Sequence, residues 1–304
     1  MKPMFVAGVA CALSLVAPAF GAPAKFDTGA LQVEQRGKSG RPVILIPGLS
    51  SGPWVWADTA ARLEKSHQVY LLTLPGFDGR KAVPGASFAS LTRDLATLIV
   101  SRKLDRPVLV GHSLGGTMSL AFAADHPGLI GGVVAVDGLP VFPGTENMTG
   151  DRTALGEQVR AQFANQTAEQ YVASQQAYMR QVGVLDAALA DRLAVLSSRS
   201  DPVAAGEMAG QVFQLDLRPR LKDITVPVVE ITPFYAPDLA AFGLDEAGKA
   251  NYYRGLMQGV ANLEVVSVSP ARHFVMFDQP EKFAAALDAA LAKMLEPGAK
   301  QARN

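Results

Sequence analysis

The chain has 304 residues, 28 basic against 28 acidic side chains for zero formal charge, and 49% hydrophobic residues. Balanced charge without a basic run excludes a nucleic-acid binder, which needs clustered cations to displace counterions from phosphates. The length suits one large domain with an insertion and an ample interior, and a single cysteine, Cys11, rules out a disulfide framework.

Residues 1–24 carry a basic start at Lys2, an almost wholly apolar run over 6–16 and small residues over 21–24. This pattern predicts a secretory signal peptide, because the run is too short to span a bilayer. A lipid-modified Cys11 is disfavoured, since Gly8-Val9-Ala10 lacks the leucine such a site usually carries. The remaining chain is expected to be exported, periplasmic or secreted, with no stable membrane span and no disulfide.

Beyond the leader, short β-branched runs predict strands over 31–35, 43–46, 69–74, 108–110, 133–136, 228–232 and 263–268. Helical patterns fall between them over 54–65, 87–102, 114–125 and 280–295, the last with Phe283, Leu287, Leu291 and Met294 along one stripe. Trp54 and Trp56 are read as packing the first of these helices, and His126-Pro127-Gly128 stops the third. Such alternation predicts an α/β fold with a mostly parallel sheet flanked by helices. The stretch 139–221 breaks it, with no β-branched run and helical periodicity over 155–163, 168–182, 185–197 and 202–211. We read this stretch as a helical cap inserted into a core of 25–138 and 222–304. It leaves from the carboxyl end of strand 133–136, the side on which an α/β sheet forms its sites, and its scarcity of charge suits an apolar underside.

Chemistry concentrates at Gly111-His112-Ser113-Leu114-Gly115, set between a strand and an apolar helix. That order places Ser113 on a strained strand-to-helix turn, with its hydroxyl clear of the sheet and near helix N–H groups. A serine hydroxyl needs a base. Of four histidines, His112 adjoins the serine on a tight turn, His126 lies about 18 Å away at the far end of the helix, and His67 precedes a strand at its amino edge. His273, on the loop after the last strand, is left as the candidate. The acid that would orient it is open between Asp137, directly after strand 133–136, and Asp238, six residues past strand 228–232, with Asp216 a further option. Donors for an oxyanion are expected from the backbone N–H of Leu114 and of Leu49, with Ser50 behind it, on the loop Pro47-Gly48-Leu49-Ser50-Ser51-Gly52.

With Pro47-Gly48-Leu49, Leu74-Pro75-Gly76-Phe77-Asp78-Gly79-Arg80, Gly111-His112-Ser113-Leu114-Gly115-Gly116 and Arg272-His273-Phe274 in this order, the chain resembles α/β-hydrolase-fold proteins. It departs from many of them in having Pro47-Gly48 for His-Gly and in lacking a Gly-x-x-Asp turn. The resemblance implies an acyl-enzyme on Ser113, hydrolysis most commonly of carboxylic esters, and no metal or organic cofactor. A small uncharged or apolar acyl substrate is expected from the cap. The same residues leave open an amide, lactone or peptide bond, or a catalytically silent binder on this scaffold.

Overall fold

The computed structural model describes residues 24–295, so the expected leader, apart from Ala24, and Cys11 lie outside the described residues. Within them eight strands form one sheet: β1 (Ala24–Thr28), β2 (Leu31–Arg36), β3 (Pro42–Ile46), β4 (Gln68–Thr73), β5 (Val108–His112), β6 (Gly132–Val136), β7 (Val228–Pro233) and β8 (Leu263–Val268). Their order is β1-β2-β4-β3-β5-β6-β7-β8. The β1–β2 and β2–β4 pairs are antiparallel, and every pair from β4 through β8 is parallel. This is the α/β-hydrolase fold that the motif order implies.

Along the chain the helices are α1 (Ala57–Leu63), α2 (Phe88–Ser101) and α3 (Leu114–Asp125), then α4 (Thr153–Ala164), α5 (Ala168–Tyr178), α6 (Ala187–Ser197) and α7 (Pro202–Gln214). After these come α8 (Ala236–Leu239), α9 (Glu246–Leu256), α10 (Val275–Asp278) and α11 (Pro280–Leu295). Central strands are buried on both faces, which is why they read as unbroken β-branched runs and not as alternations. Successive side chains still part company: Ile44 and Ile46 join α2 and α3 on one face, while Val43 and Leu45 join α1 and α11 on the other. Helix α3 is buried all round, as its lack of a polar face requires.

All seven expected strands are present. The helix expected over 54–65 begins as a 3₁₀ turn, Pro53–Trp56, before α1, and the pattern over 168–182 divides into α5 and a π-helical turn, Met179–Gly183. Four of these elements, β1, α8, α9 and α10, have no counterpart in the sequence reading, the two short helices being single turns. Strand β1 is an exposed edge with little apolar signal, and α9 buries only Ala250, Tyr253 and Leu256, too sparse a stripe to stand out. The four helices α4 to α7 leave and rejoin the core at a neck where Val141 bridges Asp216 and the Leu217 N–H donates to Pro140 O at 2.8 Å. Among the described residues no helix is long and apolar enough to cross a membrane.

The chain passes from β3 outward to β4 and then back across to β5, so the strand order reverses at β3 and β5. A crevice opens there at the carboxyl ends of the strands. The turn after β5 is packed so tightly that a Cβ on Gly111 would lie 2.1 Å from Gly115 O, and one on Gly115 2.4 Å from Ile46 O. Both obstacles are backbone and cannot rotate away. Gly115→Ala is expected to cost more than about 3 kcal/mol in urea denaturation, whereas Gly128→Ala, where a Cβ meets open space, should stay within about 0.5 kcal/mol. Equal costs at the two positions would refute the packing argument.

Candidate active site

Strands β5 and β6 pair with His112 opposite Val136, so the next residues, Ser113 and Asp137, leave neighbouring strands at the same level. Both enter the left-handed region, Ser113 at φ 52° and Asp137 at φ 49°. Each kink is held by the adjacent strand: Ser113 N–H donates to Val136 O at 2.9 Å, and Asp137 N–H donates to Ile231 O at 3.0 Å. Two strands one sheet spacing apart thus lift a hydroxyl and a carboxylate out of the same edge.

His273 arrives on the loop between β8 and α10, with Nδ1 2.6 Å from Asp137 Oδ2. A carboxylate only accepts, so Nδ1 carries the proton and Nε2 is left with its lone pair. The loop backbone is fixed from two sides. His273 N–H donates to Val182 O at 3.1 Å in the π-helical turn, and His273 O accepts from His112 Nε2 at 3.0 Å. His112 is fully buried, and burial, followed by the neighbouring His273, lowers its pKa to about 3. Its ring is therefore neutral, with the proton on Nε2 and a bare Nδ1 that has no partner among the described residues.

Asp137 is held well below the usual carboxylate range. Burial opposes its ionisation, but the His273 hydrogen bond and charge, the Lys249 charge and the Tyr253 hydroxyl, which donates to Oδ1, outweigh it. Behind it, Glu230 on β7 is wholly buried; burial and then the Asp137 charge push its carboxyl well up, toward the neutral acid. Two carboxyls in this corner of the sheet are thus pushed in opposite directions, Asp137 down and Glu230 up.

Asp238 is brought elsewhere. It accepts two hydrogen bonds from Arg272, at 2.7 Å from Nε and 2.8 Å from Nη2. Arg272 also reaches Arg180 O at 2.8 Å, and the Asp278 carboxylate takes both Arg272 N–H at 2.8 Å and Leu185 N–H at 2.9 Å. These bonds fasten the π-helical turn to the histidine loop. Asp216 pairs with Arg218 at 2.6 Å. Trp54 stacks on Phe274 and Phe277, and Trp56 on Phe283, so the two indoles meet rings at α10 and α11 and not only the helix that follows them.

Ser113, His273 and Asp137 line one cavity of about 710 Å³, together with Leu49, Ser50 and Leu114. Leu114 is the first residue of α3, whose leading N–H groups have no intrahelical partner. The cap supplies an apolar wall of Val141, Phe142, Phe163, Val212 and Phe213, with the uncharged Gln162 and Gln166 among them. No Lys, Arg or Glu side chain lines it among the described residues, and its aspartate, Asp137, is already engaged. Chemically, a serine hydroxyl that shares a cavity with an imidazole backed by a carboxylate is able to give up its proton and attack a carbonyl. Sequence reasoning passed over His112 as a structural partner of His273, and also Tyr253, Glu230 and Arg272. The histidine on the pentad was visible, whereas Tyr253 sits on a helix that periodicity did not reveal.

The sequence profile of the alpha/beta hydrolase family matches residues 43–286. The 2-succinyl-6-hydroxy-2,4-cyclohexadiene-1-carboxylate synthase of Enterobacter sp. (strain 638) is 36% identical over 100 residues, spanning 32% of this chain but only 38% of the synthase. A pimeloyl-[acyl-carrier protein] methyl ester esterase of Pectobacterium carotovorum subsp. carotovorum (strain PC1) is 23% identical over 65% of this chain and 77% of its own. Among solved structures, the enol-lactonase from Burkholderia xenovorans LB400 superposes with a TM-score of 0.72 at 18% identity, covering 88% of this chain and 100% of that one. The thermophilic esterase from Thermogutta terrifontis gives 0.68 at 21% identity, over 91% and 100%. At these identities the structural likeness speaks for the fold.

A buried neutral His112 has a measurable consequence. The unfolded chain takes up its proton below about pH 6.5, the folded chain only near pH 3, so stability is full above pH 6.5 and falls on acidification at up to about 1.4 kcal/mol per unit. Urea denaturation between about pH 7.5 and 4.5 is expected to show a shallower slope for His112→Asn than for the wild type. Parallel slopes would rule out a neutral imidazole there.

Proposed function

The chain belongs to the alpha/beta hydrolase family, and from that premise we propose that it hydrolyses uncharged carboxylic esters through an acyl-enzyme on Ser113. The observation that carries this reading is the 2.6 Å contact of His273 Nδ1 with Asp137, in a cavity that Ser113 also lines. Ser113 Oγ adds to the ester carbonyl, its proton passes to His273 Nε2, and the carbonyl electron pair moves onto oxygen. The Leu49 and Leu114 N–H groups receive that oxyanion. Collapse expels the alcohol, which takes the proton from His273. Water then repeats the addition and releases the acid. Asp137 stays ionised throughout and stabilises the imidazolium formed between the two transfers.

The cavity wall supports the substrate class. A substrate carboxylate buried there would find no cation, and burying an unpaired charge is costly. An apolar acyl chain instead gains contact with Phe142, Phe163 and Phe213. The esterase and lactonase names among the relatives agree with cleavage of an acyl–oxygen bond.

With a p-nitrophenyl ester of a short fatty acid, Ser113→Ala and His273→Ala are expected to abolish turnover, and an organophosphonate should label Ser113 in the wild type alone. Asp137→Asn is expected to lower kcat by about four orders of magnitude. Asp238→Asn, which loosens only a partly exposed ion pair, should change it by no more than about fivefold. The reverse ranking would transfer the role to Asp238. An ester whose acyl chain ends in a free carboxylate should show kcat/KM at least about 100-fold below its neutral analogue. Comparable values would overturn the proposed substrate class.

A further inference from the structure

Resting on the ester-hydrolase reading, we propose that Ser50 is a catalytic residue: its side-chain hydroxyl is a third donor to the oxyanion, aimed by Tyr171 of the cap. Ser50 follows Leu49 on the loop after β3 and lines the cavity with Ser113 and Leu114. Its Oγ lies 2.8 Å from the hydroxyl of Tyr171 on α5, and both residues are 2% exposed. Two hydroxyls joined by one hydrogen bond share two protons, and one proton is left over.

Where that proton points follows from burial. Were Ser50 the donor, the Tyr171 proton would be stranded in the packed interior of the cap, since Tyr171 does not line the cavity and its hydroxyl has no other partner among the described residues. An unsatisfied buried donor is costly, because it has given up its hydrogen bond to water for nothing. With Tyr171 donating, both hydroxyls are used and the spare proton is Ser50's, free to face the cavity. Burial also raises the Tyr171 pKa to about 12, so the phenol keeps its proton.

A second observation is independent of the first. Ser50 stands at φ 53°, a left-handed conformation in which glycine is unstrained and a serine is not. The side chain is therefore kept at a backbone cost. The next residue does not share the role: Ser51 Oγ donates to Leu49 O at 3.2 Å and is thereby occupied.

The test compares full-length wild type with Ser50→Gly, Ser50→Ala, Tyr171→Phe and Ser113→Ala. It measures kcat and KM on a neutral p-nitrophenyl ester, Ki for a trifluoromethyl ketone whose serine adduct carries the same oxyanion, and Tm. Ser50→Gly and Ser50→Ala are expected to lower kcat by roughly 10- to 100-fold, with KM within about twofold and Ki raised by the same factor as kcat falls. Ser50→Gly should melt above Ser50→Ala, because both substitutions strand the Tyr171 hydroxyl and only glycine relieves the left-handed strain. Tyr171→Phe, a positioning change, should lose about 3- to 10-fold in kcat and shift Ki in the same direction. If Ser50→Gly keeps kcat and Ki within about twofold of wild type while Ser113→Ala is dead, the Ser50 role fails and the hydrolase reading stands. A loss confined to Ser50→Ala and matched by a fall in Tm also overturns it, since the role would then be structural. Full turnover by Ser113→Ala would instead sink the hydrolase reading.

Discussion

At Ser113 the chain must reverse from a buried strand into a buried helix within one residue, and the backbone sits at φ 52° and ψ −119° to do so. A non-glycine residue held there costs on the order of 1–3 kcal/mol and persists only where its surroundings over-determine it. Here they do. Gly111 and Gly115 close on each other and on Ile46 O with no room for a Cβ, α3 is buried from Leu114 to Ala124, and Val136 O receives the Ser113 N–H. The same solution recurs one strand away at Asp137, whose N–H goes to Ile231 O. The spacing of the two backbone positions that carry the hydroxyl and the carboxylate is thereby set by sheet pairing.

Placing ionisable groups in a dry corner is expensive unless their charges are controlled, and the structure controls them individually. Asp137 is ionised because His273, Lys249 and Tyr253 face it. Glu230 also feels the Lys249 charge, but burial and that same aspartate outweigh it and push the carboxyl toward the neutral acid. His112 is neutral and uses its one N–H to hold the His273 carbonyl. The two carboxyls are thus biased in opposite directions, and an imidazolium formed at His273 would meet the Asp137 carboxylate directly. Fixed groups of this kind need no reorganisation when charge moves, which is the condition for electrostatic stabilisation of a transition state.

The cap does more than roof the cavity. Its segment from α5 through the π-helical turn bonds to two core loops at once, Tyr171 to Ser50 and Val182 O to His273 N–H. Arg272 and Asp278 reinforce the second attachment. Since π-helical turns are uncommon and often sit at functional sites, it is fitting that this one carries the carbonyl held by His273. The aspartate that sequence reasoning weighed against Asp137 is the anchor of this fastening, which explains its presence near the histidine without any contact to the imidazole.

Local sterics and burial were legible in the amino-acid order. β-Branched runs marked the central strands because those strands are buried on both faces, and the glycine spacing around Ser113 marked its turn because no other residue fits. His273 was singled out by setting aside the other three histidines on position and by its loop after the last strand. The acid was not, because both aspartates follow a strand at the correct end of the sheet, and the choice turned on β5–β6 register against the path of 233–238 into α8. Tyr253, Glu230 and the Ser50–Tyr171 pair were beyond reach for the same reason: their meaning lies in partners about 120 positions distant along the chain, or in carboxyl oxygens left without a hydrogen-bond partner among the described residues. Periodicity and turn chemistry act between neighbours in sequence, while hydrogen bonds and desolvation act between neighbours in space, and only folding makes the second kind of neighbour.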